Sequence, residues 1–178
     1  MIDSIQTLLS YDEGCESLPY PDSRGIWTVG VGHNLEANPL PQSLVDAIVA
    51  RAGLSSGDTH FPGNRDLITA AGGLTNVEIA ELFAHDVTAV ENGLPSWIAD
   101  LDLGDSPQPV VYAVMIDIAF NVGVYEFSKF NTFLPLVKSG NYAGAANDLL
   151  THVAASRELP ERYGRLAEML RTLEWPTV

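Results

Sequence analysis

The stretch that decides how this chain is read runs Asp12-Glu13-Gly14, then Tyr20-Pro21-Asp22, then Gly25-Ile26-Trp27-Thr28-Val29-Gly30-Val31-Gly32-His33. Just upstream, Ile2, Ile5, Leu8 and Leu9 recur at helical spacing and the pattern stops at Gly14, which predicts a short first helix ending near Asp12 or Glu13. From Leu18 to Leu35, prolines, glycines and an alternating Trp-Thr-Val-Gly-Val run suit a small antiparallel sheet with tight turns. Three chemically useful side chains, Glu13, Asp22 and Thr28, therefore fall within 16 residues, on a helix end and a hairpin.

Working outward, Pro41 can open a helix running to about Arg51. Residues 53–73 are rich in Gly, Ser, Asp and Asn and read as a long surface loop with room for one helical turn. Thr75-Asn-Val-Glu78 is a capping box, and Ile79, Leu82, Phe83, Val87 and Val90 follow on one face, predicting a helix over 75–92. From Gln108 to Val122 the chain is apolar nearly all round, the mark of a helix buried on most sides. Shorter helices are expected at about 131–138, 142–150 and 160–173. There is no internal repeat and no low-complexity segment.

Composition narrows the function classes. With 178 residues the chain can form one domain of ordinary size, or two small lobes sharing a central element. Its single cysteine, Cys15, excludes an intramolecular disulfide, and it is more simply a buried or half-buried thiol than a nucleophile. The histidines His33, His60, His85 and His152 have no metal-binding spacing, so neither a metal nor another cofactor is expected. Gly30 and Gly32 lack the rest of a dinucleotide fingerprint and are explained by turn geometry. Nine Lys and Arg against 23 Asp and Glu give a net charge of −14, which argues against nucleic acid as a partner. Met1 to Leu9 carries Asp3 where a signal peptide has basic residues, and no stretch approaches a membrane span. Synthesis as a soluble cytoplasmic protein without membrane insertion is the expectation.

Breaking a glycosidic bond takes a carboxylic acid to protonate the leaving oxygen and a second carboxylate to activate water or attack directly. A threonine hydroxyl, which both donates and accepts, is suited to holding that water. On spacing alone, a Glu and an Asp with eight residues between them in so acidic a chain are most simply solvated surface charges. The wider pattern changes this. A Glu, eight residues, an Asp, five residues and a Thr, followed by Gly-x-Gly-His, resembles the signature of the phage lysozymes, the endolysin-type enzymes of glycoside hydrolase family 24 that include those of T-even phages. Glu13, Asp22, Thr28 and Gly30-Val-Gly32-His33 match it without a gap. The resemblance extends over Leu74–Phe83 with His85-Asp86, Ile118–Gly123, Phe130–Leu134 and the tail from Ala155 through Arg157 to Leu173. The stretch between His33 and Thr75 is longer than in the family, so residues 50–70 look like an insertion.

The resemblance implies an α+β, mainly helical, lysozyme-like two-lobe fold. Residues 1–74 would form a lobe with the small sheet, and 75–178 a long inter-lobe helix and a helical lobe, with a cleft between. It implies a muramidase acting on peptidoglycan at the β-1,4 link from N-acetylmuramic acid to N-acetylglucosamine. Glu13 would be the general acid, Asp22 the carboxylate that positions or activates water, and Thr28 the holder of that water, in an inverting hydrolysis if the carboxyl separation admits water. His33 and Asp86 match a structural pair bridging the hairpin and the long helix. Arg162 matches an arginine reaching back to the catalytic glutamate, with Arg165 one turn away and able to exchange roles. Asn34, Phe120 and Asn121 fall at cleft-lining positions, although Phe120 on pattern alone is core and Asn34 a turn residue. Phe133 stands where the family has a small polar residue.

Two other readings stay open. A lytic transglycosylase cleaves the same bond but needs no water-holding partner, so Asp22 and Thr28 favour hydrolysis. A non-catalytic wall-binding or virion domain could keep the fold. The acidity sits badly with an anionic envelope, and the expectation is a monomer working at high ionic strength or alongside a basic partner or virion component. It would reach the wall after holin-type release from the host cytoplasm or from outside as part of a virion.

Overall fold

The computed structural model describes residues 2–22, 24–53, 63–103, 108–156 and 160–177. Residues 54–62 of the stretch read as an insertion, with His60 among them, and Arg157 lie outside the described residues. Within them the chain is mostly helical with one small antiparallel sheet, the α+β class expected. By its contacts it divides into two compact units, residues 13–88 and residues 1–12 with 89–178.

In the first unit, strands β1 (Glu16–Pro21), β2 (Trp27–Gly30) and β3 (His33–Asn34) form an antiparallel sheet in that order, with an irregularity in β1 between Glu16 and Tyr20. Helix α1 (Ile5–Glu13) contributes its last residue to this unit. Helix α2 (Gln42–Arg51) starts just after Pro41 and buries Leu44 and Ile48. Helix α3 (Asn64–Ala70) occupies part of the stretch that reads as loop. Its Gly/Ser/Asn-rich surroundings mask a short apolar pair, Leu67 and Ile68, which is buried and gives the segment a reason to fold.

Helix α4 (Asn76–Gly93) begins as its capping box requires. The Thr75 amide donates to Glu78 Oε2 at 2.6 Å, and the Glu78 amide donates to Thr75 Oγ1 at 3.2 Å. Arg51, the last residue of α2, locks this corner. Its guanidinium donates to both Glu78 carboxylate oxygens (3.0 and 3.1 Å) and to the carbonyls of Ala71 and Gly73 (2.9 and 2.8 Å). Burial alone would raise the Glu78 carboxyl, but hydrogen bonds from Arg51 and Thr75 hold it below its ordinary value of 4.5.

The second unit holds residues 5–12 of α1, the last turn of α4, α5 (Ser96–Ala99), a 3-10 turn (Asp100–Leu103), α6 (Gln108–Val122), α7 (Val124–Phe127), α8 (Phe133–Lys138), α9 (Tyr142–Ser156) and α10 (Pro160–Thr172). Helix α6 is its centre, buried continuously from Val110 to Ala119 as the nearly unbroken apolar run predicts. Each such Val, Ile or Met contributes about 1.5–3 kcal/mol by leaving water. Tyr163, Leu166, Ala167 and Leu170 make a helical stripe by which α10 packs on α6 and α9. No helix among the described residues is long and apolar enough to cross a membrane.

Candidate active site

Asp22 occupies the turn between β1 and β2. Its Oδ1 accepts the backbone N–H groups of Arg24 and Ile26, both at 2.8 Å, and its own N–H donates to the Ile26 carbonyl. These bonds build the turn and aim the carboxylate at once. The Ile26 amide above all, then the Arg24 amide and guanidinium, hold the carboxyl below its ordinary value of 3.8 against a weaker effect of desolvation. Asp22 is therefore an anion at neutral pH.

Thr28 is buried in the central strand, its Oγ1 donating to the Ile26 carbonyl at 3.1 Å, which leaves the oxygen lone pairs to accept. The register sets Tyr20 on one side of it and Asn34 on the other, so all three side chains share one face of the sheet. Burial first, then the charges of Glu13, Glu16, Asp22 and Cys15, push the Tyr20 phenol up from its ordinary value of 10.0, and it stays a proton donor. Glu13 and Asp22 both act on this one ring. The hairpin thus gathers two carboxylates that are separate in sequence around Tyr20, for which sequence reasoning gave no role.

Glu13 ends α1 with its side chain laid over the β2–β3 turn. A Cβ added at Gly32 would stand 3.1 Å from Glu13 Oε2 and 3.3 Å from its Cγ. Gly32 also has φ +71°, a conformation that side-chain-bearing residues rarely adopt. Next to it, His33 is buried, with Nδ1 2.7 Å from Asp86 Oδ2 of α4 and Nε2 3.2 Å from the Asn38 carbonyl. Asn34 Oδ1 accepts the amides of Glu36 and Ala37, both at 2.9 Å, so this oxygen shapes the turn after β3.

The remaining residues singled out from sequence belong to the second unit. Arg162 is buried in α10; its Nε donates to Asp117 Oδ1 at 2.8 Å and lies 3.9 Å from Asp12 Oδ2. Arg165 donates to Asp12 Oδ1. Sequence reasoning missed Asp117; the signal for it was a lone acidic residue inside the apolar run of α6. Phe120 is half-buried near the end of α6, and the Asn121 oxygen takes the Tyr163 hydroxyl at 3.3 Å. Phe133 is fully buried in an edge-to-face cluster with Phe127 and Phe130, which makes it a core residue. Among the described residues, no three His, Cys, Asp or Glu side chains gather in a way that could hold a metal ion.

An ionised, backbone-anchored carboxylate, a hydroxyl on the adjoining strand and a second carboxyl at a helix end are the groups that acid-base cleavage of a glycosidic bond calls for. The phage lysozyme family model matches residues 10–164, from the end of α1 into α10. The chain is 24% identical over 176 residues to probable T4-type lysozyme 1 of Dictyostelium discoideum, covering 97% of this chain and 96% of that protein. It is 23% identical over 184 residues to probable T4-type lysozyme 2 of the same organism, again covering 97% and 96%. Since the match takes in the hairpin, α4 and the buried helix α6 in one span, the chain belongs to the phage lysozyme family and is a lysozyme-type glycosidase.

Proposed function

We propose that this protein is a muramidase that hydrolyses the β-1,4 bond between N-acetylmuramic acid and N-acetylglucosamine in peptidoglycan. Glu13 gives its proton to the glycosidic oxygen as the bond from the anomeric carbon breaks. A water held by Thr28 and Asp22 adds its oxygen to that carbon, and Asp22 takes the proton it sheds. The anomeric configuration inverts.

The observation that supports this reading best is the contrast between the two carboxyl groups. Asp22 is fixed as an anion by two backbone amides, which suits a base or water-orienting group. Glu13 sits instead at a helix end and folds against the hairpin at Gly32, within electrostatic reach of the Tyr20 phenol. A hydroxyl at Thr28 serves hydrolysis, whereas ring closure to an anhydro sugar would have no use for it.

The test is mass spectrometry of peptidoglycan digested by the wild type and by Glu13→Gln. Reducing muramic-acid ends from the wild type, with at least about a thousandfold fewer from the variant, are the expected result. Anhydro ends would make the protein a transglycosylase, and substantial activity in a folded Glu13→Gln would overturn the role of Glu13.

A further inference from the structure

We propose that Asp12 and Asp117 share a single proton and, clamped by Arg162 and Arg165, form a pH-sensitive latch that fastens the last turn of α1 to α6 and α10. The inference is independent of the reaction assigned above.

Both carboxyl groups are out of water: the Asp117 side chain is 0% exposed and that of Asp12 4%. Each spends one oxygen on an arginine, Asp117 Oδ1 on Arg162 Nε and Asp12 Oδ1 on Arg165. The other oxygen of each, Oδ2, is buried with no donor. A second bond from Arg162 goes to the Asp117 backbone carbonyl, at 3.3 Å, and so does nothing for either Oδ2. Two buried, donorless carboxylate oxygens are destabilising when both groups are ionised. One proton between them gives each a partner, the arrangement of carboxylate pairs that share a site.

The surroundings favour keeping that proton. Burial above all, opposed by the Arg162 charge and hydrogen bond and reinforced by the charge and hydrogen bonding of Asp12, pushes Asp117 from 3.8 up to about 7. From α10 the pair faces Arg162 and Arg165, and from α1 Asp117 faces Asp12. On the other elements packed against α6, Asp100 and Glu126 are exposed, and Glu91 of α4 takes the Tyr112 hydroxyl at 2.6 Å. Unfolded, Asp117 releases its proton near 3.8; folded, the pair keeps one up to about 7. Between those limits the folded state carries the extra proton, so stability falls as pH rises and levels off above. The latch is fastened in acid and slackens toward neutrality.

Urea unfolding of the wild type and Asp117→Asn, repeated from about pH 5 to about pH 8, tests this. The asparagine keeps the shape, accepts from Arg162 and donates permanently to Asp12. The folding constant of the wild type relative to the variant should fall by up to about tenfold per pH unit until the pair has titrated, then stay level. A ratio that does not change with pH overturns the proposal. If Asp117→Asn does not fold, infrared spectra of the wild type decide: a protonated-carboxyl band at about pH 6 that vanishes by about pH 8 supports the shared proton, and its absence at about pH 6 overturns it.

Discussion

At Gly32 the backbone and the site make the same demand. The turn needs a positive φ there, and the Glu13 carboxyl lies where a side chain would begin. Gly32→Ala should cost about 1–2 kcal/mol in urea unfolding for the left-handed conformation alone. If Glu13 is the acid proposed above, the substitution should also lower turnover by roughly a hundredfold, because the displaced carboxyl no longer meets the bond it must protonate. Equal turnover in the two proteins would show that Glu13 can work from elsewhere. Glu13, Asp22, Thr28 and Gly32 could be singled out as candidates in the sequence because their types and spacing form one compact pattern. Asp117 was not, because its partners Arg162 and Asp12 lie 45 and 105 positions away and an isolated Asp in an apolar helix carries no mark of them. Asn34 stayed ambiguous for a similar reason: an amide serves a turn and a sugar equally well, and only the hydrogen bonds to Glu36 and Ala37 reveal the first use.

Among the elements, α4 was read most closely, since a capping box and a repeating apolar face mark its start and its packing side together. The hook that Arg51 throws onto its first turn was invisible, because one arginine at a helix end looks like any solvated cation. Arg51→Met should cost roughly 1.5–3 kcal/mol at neutral pH, as charge-assisted bonds to Glu78 and two carbonyls are lost. Glu78 is held below its ordinary value of 4.5 in the folded protein, so the stability it brings is present above that value and lost as pH falls. The gap between wild type and Arg51→Met in urea midpoints should therefore narrow in acid; a gap unchanged down to about pH 3 would rule out the ion pair as its cause. Helix α3 is longer than the single turn that the sequence allowed for, because a run of seven residues with a single apolar pair has too little periodicity to mark its length. Helices α1 and α4, each shared between the two units, read as unbroken patterns, so the points at which their contacts change over leave no trace in the sequence.

Across the whole molecule the net charge of −14 combines with the way the cations are used. Among the described residues Arg24, Arg51, Arg65, Lys129, Arg162, Arg165 and Arg171 all stand in ion pairs with carboxylates of this same chain. Little positive charge is left to draw the protein to an anionic wall. If peptidoglycan is the substrate, turnover on whole walls should rise as salt shortens the screening length to about 8–10 Å; a steady fall with salt would contradict this. The Arg51 hook has a last consequence, for engineering. It ties residue 51 to residues 71, 73 and 78, so one side chain holds together the two ends of the segment between them. Lengthening a connection whose ends are already pinned adds only about 0.6 kcal/mol per doubling. A wall-binding peptide grafted among residues 54–62 should leave the melting temperature within a few degrees of the parent. A large drop would mean that the native segment itself is part of the frame. A graft that is tolerated there would give an acidic enzyme the basic grip it lacks.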